Sequence, residues 1–316
     1  YEVLPIQLPE SDLIFTQWFH SDCLASCYKV PVWSEEHWSI VEKFIKTAAD
    51  YGVNMILTPV FTPPLDTEVG GERPTVQLVK IKRDKGKYFF DFSLLERWVK
   101  ICLDSGIKYF EIAHLFTQWG AEFTPKIIAE ENGEEKRIFG WDVPAGDAEY
   151  DNFLSQFLPE LTEFFKKRGL FDRVYFHISD EPNGEQLESY LAAKNVAVKY
   201  LKDCKIIDAL SEFEFYEKGI VEIPVVQIDH INPFIGKSEA LWGYYCCVQG
   251  KGVSNRFIAM PSARNRYIAL QMYKYKLTGF LQWGYNFYYA QYSKREINPF
   301  LENDSGGAFP AGDSFS

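Results

Sequence analysis

A (β/α)8 TIM-type barrel, with hairpin insertions after its second and third strands, is the α/β fold class this sequence predicts. Three observations lead there. Eight short apolar runs rich in β-branched and aromatic residues recur along the 316 residues. Most are separated by amphipathic stretches with helix start and stop signals, the alternation expected of α/β proteins. The first strand-to-helix turn, His20-Ser21-Asp22-Cys23, has none of the glycines with which doubly wound sheets cradle phosphate.

Taken in order, the first strand is read at residues 13–20. The helix over 34–51 follows, N-capped by Ser34 and stopped at Gly52. Residues 53–61 form the second strand. A hairpin over 76–92, turning at 84–87, precedes the helix at 93–105, which Gly106 ends. Strand three is 107–116. An excursion over 117–148 then holds a second hairpin, 126–129 facing 136–139 across Asn132-Gly133, a dipeptide suited to a type I′ turn. Helix three covers 149–167 and strand four 173–179. Helix four (185–201), strand five (205–210), a short segment (212–218), strand six (222–229) and strand seven (241–248) follow. A helix at 262–276 and a last strand at 279–289 complete the barrel. Residues 1–12 are expected to be a linker from a further N-terminal domain, 13–300 the barrel, and 301–316 a C-terminal tail.

Composition narrows the function. A net charge of −11 offers no basic stripe for nucleic acid and disfavours anionic membrane surfaces. No run of 18 apolar residues suggests membrane insertion, and no signal peptide is visible. Secreted, periplasmic and cytoplasmic locations all stay open, as does the oligomeric state. The acidic cluster at 130–135 is followed at once by Lys136-Arg137 and reads as a solvated hairpin tip. The six cysteines match no zinc framework, and vicinal Cys246-Cys247 cannot form an ordinary unstrained bridge. Aromatic residues make up 17% of the chain, more than a core demands, and flat rings suit the C–H faces of sugars.

Barrels of this type gather their chemistry where strands end at the carboxyl side. The residues so placed are Trp18, His20 and Asp22, then Thr62, His114 and Gln118. Asp180, Glu181, Asp229, His230, Tyr244 and Tyr245 follow, and the last strand brings Trp283, Tyr285 and Asn286. Carboxylates, imidazoles and aromatic rings dominate. No lysine is placed for Schiff-base chemistry, and no cofactor cradle is evident. Carbohydrate hydrolysis fits this inventory best.

Asp180-Glu181 carries the mechanistic reading. Two neighbouring carboxylates at the end of the buried run 174–179 are costly to desolvate. Paired glycosidase carboxylates normally flank the scissile bond from different strands, roughly 5–5.5 Å or 6.5–9.5 Å apart. Adjacent residues are poorly placed for that. A sugar with a 2-acetamido group suits them better. Glu181 would protonate the leaving oxygen, Asp180 would accept the amide N–H, and the amide carbonyl oxygen would attack C1. Glu181 would then serve as general base for water.

The residues also resemble a family. Ser179-Asp180-Glu181-Pro182, the stretches 54–63 and 279–286, and the closing Gly307 to Asp313 are similar to the catalytic barrel of glycoside hydrolase family 123. That resemblance implies a retaining, exo-acting β-N-acetylgalactosaminidase working on glycan or glycolipid ends by the acetamido-assisted route. By it, Asp180 orients the acetamide and Glu181 is the acid/base. Family members usually carry an N-terminal β-sandwich ahead of this barrel.

Plainer readings stand beside these. Asp180-Glu181 also suits an N-cap and first-turn acid for the helix beyond Pro182. Trp283 is either the floor of the sugar site or barrel filling. Tyr244 is favoured to face inward, with Trp242 as packing or rim. His20 and Asp22 are expected to contact sugar hydroxyls; a zinc site drawing on His114, Asp229 and His230 is the rival reading. His177 is read as structural, and Trp119 and Trp141 as lid rings or the core of their own loop. A metal-dependent barrel hydrolase, a non-catalytic glycan-binding barrel and a two-carboxylate glycosidase using Glu181 with Asp229 are the competing functions.

Overall fold

The computed structural model describes residue 5 and residues 11–315. The expected linker at 1–12 therefore lies almost wholly outside the described residues.

Eight parallel strands close into a barrel: β1 (Ile14–Gln17), β2 (Met55–Thr58), β5 (Tyr109–Ile112), β8 (Val174–Phe176), β9 (Lys205–Leu210), β10 (Ile223–Gln227), β11 (Trp242–Tyr245) and β12 (Gly279–Gln282). β12 pairs with β1 in the register Ile14↔Gly279 and seals the ring. Alternation divides each strand between two cores. Met55, Leu57, Tyr175, Ile207, Val225, Trp242 and Leu281 fill the interior, whereas Ile56, Phe110, Val174, Val226 and Phe280 face the surrounding helices.

The helices follow from their sequence pattern. α2 (Glu35–Asp50) starts where the Ser34 side chain accepts the His37 N–H, and buries Trp38, Val41, Ile45 and Ala48 on one face. α3 (Ser93–Ser105) buries Leu95, Trp98, Val99 and Cys102 and ends at left-handed Gly106. α4 (Ala148–Lys166) is capped by the Asp147 carboxylate. α5 (Leu187–Ala197), α6 (Phe213–Glu217) and α7 (Ser262–Tyr275) follow the later strands. Two features depart from strict strand–helix alternation. An unforeseen helix, α1 (Ser21–Tyr28), begins directly after His20. Between β10 and β11 there is no α-helix, only a single 3-10 turn at Asn232–Phe234.

Both hairpins form where expected. β3 (Lys80–Asp84) and β4 (Lys87–Asp91) turn at Lys85-Gly86, and β6 (Ile127–Glu131) and β7 (Glu134–Phe139) at Asn132-Gly133. All four turn residues have positive φ, as a type I′ turn requires. What no local pattern announced is their union: Lys82 pairs with Glu130, so the two insertions form one sheet, β4-β3-β6-β7.

Two close approaches require glycine. A Cβ at Gly279 would lie 2.1 Å from the Trp242 indole, so this residue leaves room for an interior tryptophan. A Cβ at Gly284 would lie 2.5–2.6 Å from the backbone of Asp313 and Ser314. Residues 301–315, expected as a tail, thus run back against the barrel mouth, burying Ser305, Asp313 and Ser314.

Candidate active site

At the carboxyl end of the barrel a pocket opens, lined by Asp180 and Glu181 together with Trp18, His20, Tyr244 and Trp283. The two carboxylates share it because the chain leaves β geometry between them. In a regular strand neighbouring side chains point to opposite faces. Regular pairing of β8 stops at Phe176, three residues short of the expected strand end, and Glu181 adopts a left-handed φ of 46°. That conformation costs a non-glycine residue roughly 1–2 kcal/mol. It is held by Glu181 N–H donating to Ala209 O (3.1 Å) and Trp119 N–H donating to Asp180 O (2.9 Å). Asp66, Trp119 and Tyr292 at the rim also have positive φ, a concentration of backbone strain typical of functional sites.

The two acids have different surroundings. Glu181 Oε1 accepts the Tyr244 hydroxyl and Gln227 Nε2. The Asp180 carboxylate has no hydrogen-bond partner among the described residues. Burial and the adjacent Glu181 charge push it well above the usual carboxylate range, with His177 pulling the other way.

Beneath them lies a buried ionic relay. His177 Nε2 is 2.6 Å from Glu111 and Nδ1 is 3.3 Å from Asp208. Two carboxylates facing both ring nitrogens demand two N–H donors, which makes this residue an imidazolium. Its pKa is raised to about 9, the hydrogen bonds and charges of the two acids outweighing desolvation. Glu111 also accepts Thr16 Oγ1 (2.5 Å) and Trp18 Nε1 (2.7 Å), fixing the pocket indole. Asp208 accepts the backbone N–H groups of Ile178 and Ser179, and so anchors the segment that presents Asp180.

The opposite wall is aromatic. Trp283 packs against Phe287 (5.0 Å between centroids) and Phe309 (4.9 Å), and its Nε1 donates to Asp313 Oδ2 (3.1 Å). Burial pushes the Asp313 carboxyl up to about 7. His20 Nε2 lies 3.1 Å from Trp283 O, and Arg73 Nη2 lies 3.1 Å from His20 Nδ1. Since guanidinium can only donate, Nδ1 is the acceptor and the proton sits on Nε2. Burial and Arg73 hold His20 neutral, its pKa lowered to about 3.

The remaining expected contacts lie elsewhere. Asp22 forms a two-pronged ion pair with Arg73 (2.7 Å to each oxygen), both side chains 1% exposed. It braces the site from behind. His114 stacks on His177 (4.1 Å) inside the barrel, both ring nitrogens without hydrogen-bond partners among the described residues. Asp229 is exposed and takes Gln249 Nε2 (3.1 Å) rather than facing the pocket. Tyr285 points outward, donating to Phe44 O (3.0 Å). Asn286 clamps the His20 backbone, with Oδ1 accepting its N–H and Nδ2 donating to its carbonyl. The zinc set His20, Asp22, His114, Asp229 and His230 is dispersed. Among the described residues no three His, Cys, Asp or Glu side chains converge as metal ligands would. Of the other rings, Trp119 lines the pocket, whereas Trp141 bonds Gly71 O and packs on Phe123 within its own loop. Trp242 packs in the barrel interior.

Several pocket residues escaped the sequence reading. Asp66 reaches in from the loop after β2; its Oδ2 accepts Tyr292 N–H (3.0 Å), and burial pushes its carboxyl up to about 6. Leu65, Phe287, Phe309, Cys246 and Cys247 complete much of the lining. Glu111 and Asp208 did leave a signal, since each is a lone carboxylate within an apolar strand.

Residues 18–316 match the glycoside hydrolase 123 catalytic domain. A family 123 glycoside hydrolase from Clostridium perfringens, whose structure concerns glycolipid glycan hydrolysis, superposes with a TM-score of 0.73 at 17% identity. It is matched over 99% of this chain and 55% of its own, so the chain spans about half that enzyme's length. A GH5-4 endoglucanase from Clostridium longisporum (TM-score 0.47, 12% identity) matches over 96% of this chain and 94% of its own. A GH20 β-N-acetylhexosaminidase from Streptomyces coelicolor A3(2) (0.36, 13%) matches over 90% and 51%. A search of curated proteins finds no match. With a family match across nearly its whole length and a closed parallel barrel presenting paired carboxylates at its mouth, this chain belongs to glycoside hydrolase family 123.

Proposed function

We propose that this chain is a glycosidase that releases a terminal β-linked N-acetylgalactosamine, or a related 2-acetamido sugar, from glycans or glycolipids with retention of configuration. The observation that carries this reading is the adjacency of Asp180 and Glu181 in one pocket, one acid unpartnered and the other held by Tyr244 and Gln227. Neighbouring residues approach one side of a sugar, where the C1 leaving oxygen and the C2 amide are themselves neighbours. Expected sugar contacts are Trp18, His20, Tyr244 and Trp283, joined by Asp66 as a hydroxyl acceptor. The glycolipid glycan hydrolysis of the Clostridium perfringens enzyme makes such a headgroup the first natural substrate to test.

In the proposed sequence, the substrate amide N–H donates to Asp180, which favours the ionised form there, and Glu181 enters the reaction as the protonated acid. Glu181 gives that proton to the glycosidic oxygen while the acetamide carbonyl oxygen bonds C1. The alcohol departs and an oxazolinium ring remains. Glu181, now a carboxylate, takes a proton from water as the water oxygen attacks C1 and opens the ring. The two inversions restore the β anomer.

The test is hydrolysis of a chromogenic β-N-acetylgalactosaminide, with the gluco epimer and the plain β-galactoside alongside. Glu181→Gln is expected to lower kcat about 10²- to 10⁴-fold. Asp180→Asn is expected to weaken binding of a thiazoline mimic of the intermediate. Full activity in the Glu181 variant, or preference for the plain 2-hydroxyl sugar, would overturn the reading. Binding without turnover on any acetamido glycoside would point instead to a glycan-binding barrel.

A further inference from the structure

Cys246 and Cys247 have no part in the proposed chemistry, yet both line the substrate pocket. β11 ends at Tyr245, and the turn that follows directs two consecutive side chains to the same cavity. Cys246 packs with the Trp18 and Tyr244 cluster, and Cys247 with Phe287 and Phe309, so the pair spans two walls. Both are free thiols and partly exposed. The turn is firmly held. Cys246 N–H donates to Gln249 Oε1 (2.8 Å), and its carbonyl accepts Asn255 Nδ2 (2.7 Å). The neighbouring Cys247, burial and the Glu181 charge together raise the Cys246 thiol far above the ordinary thiol range.

These features point to one reactivity. Alkylating agents need a thiolate, and a raised thiol is a poor one. Closing the pair into a disulfide is also unfavourable, because adjacent Cα atoms lie about 3.8 Å apart, inside the usual 4.4–6.8 Å for a relaxed bridge. A ligand that takes two neutral thiols at once meets neither obstacle.

We propose that Cys246 and Cys247 form a bidentate site for soft electrophiles that bond two sulfurs, monosubstituted trivalent arsenicals being the simplest class, and that its occupation blocks the substrate pocket. The step balances as R–As(OH)2 plus two thiols giving R–As(S–Cys246)(S–Cys247) plus two waters. Two As–S bonds form, two As–O and two S–H bonds break, and no electrons are transferred. The adduct would act on the catalytic acid by occlusion and through a hydrogen-bond chain. Gln249 Nε2 donates to Gln227 Oε1 (3.1 Å), and Gln227 Nε2 donates to Glu181 (3.2 Å).

The experiment treats the reduced chain with equimolar phenylarsine oxide and reads intact mass, which needs no turnover and stands whatever the sugar specificity. One phenylarsenic per chain is expected, mapped to residues 246–247 and removed by 2,3-dimercaptopropanol but not by a monothiol. Cys246→Ser and Cys247→Ala should each lose it, while the partly exposed Cys27 and Cys204 remain to report any non-specific reaction. Hydrolysis of the chromogenic glycoside should fall in proportion to adduct. Absence of the adduct in the native chain, its persistence in either variant, or adduct formation with undiminished hydrolysis would overturn the proposal.

Discussion

His177 is expected to remain a buried cation up to alkaline pH, and stability should depend on it. Its shift from 6.5 to about 9 corresponds, at about 1.4 kcal/mol per pH unit, to about 3 kcal/mol between the charged and neutral forms. The folded pKa is raised, so the stabilisation is complete below about pH 6.5 and is lost as pH rises through about 9. Histidine-labelled NMR should find one ring titrating near 9. Urea unfolding should show the native chain weakening between pH 6.5 and 9.5, a dependence flattened in His177→Asn. Glu111→Gln should cost about 3–5 kcal/mol, because it leaves the imidazolium with one anionic partner in a site that excludes water. It should also release Trp18, which the same carboxylate holds. An imidazole titrating at or below 6.5, or a native chain equally stable across that range, would refute the reasoning.

Three other outcomes test separate parts of the structure. Arg73→Met should destabilise by about 3–5 kcal/mol, since Asp22 would be left buried and unpaired; unfolding equilibria at pH 7 measure this. Asp66→Asn should weaken N-acetylgalactosamine binding about 10- to 100-fold at pH 7.5, the worth of a hydrogen bond to a charged group. Because the folded carboxyl titrates near 6, calorimetry should show the native affinity falling towards that of the variant at pH 5. The same raised pKa means that the Asp66 contribution to stability is full below about pH 3.8 and is lost as pH rises through about 6. Gly284→Ala should displace residues 313–314 and loosen the Asp313–Trp283 contact, at a cost of about 1–3 kcal/mol. Its KM should rise more than its kcat falls.

The alternation of strand and helix, both hairpin turns and the placement of Asp180-Glu181 at a strand end were legible from residue order, because each rests on local periodicity and turn chemistry. Trp18, Tyr244 and Trp283 were legible for the same reason, being near the ends of strands that must face the mouth. Asp22 and Asn286 were assigned to the sugar because position along a strand does not reveal that Arg73, from a distant loop, claims the first, or that the His20 backbone claims the second. Asp66, Phe309 and Asp313 come from segments without periodicity, whose location is set by long-range contacts such as the approach at Gly284. Pattern within the chain determined what this protein is built from and where its acids emerge. Barrel closure alone decided which charges meet, since burial and pairing belong to residues brought together from far apart in sequence.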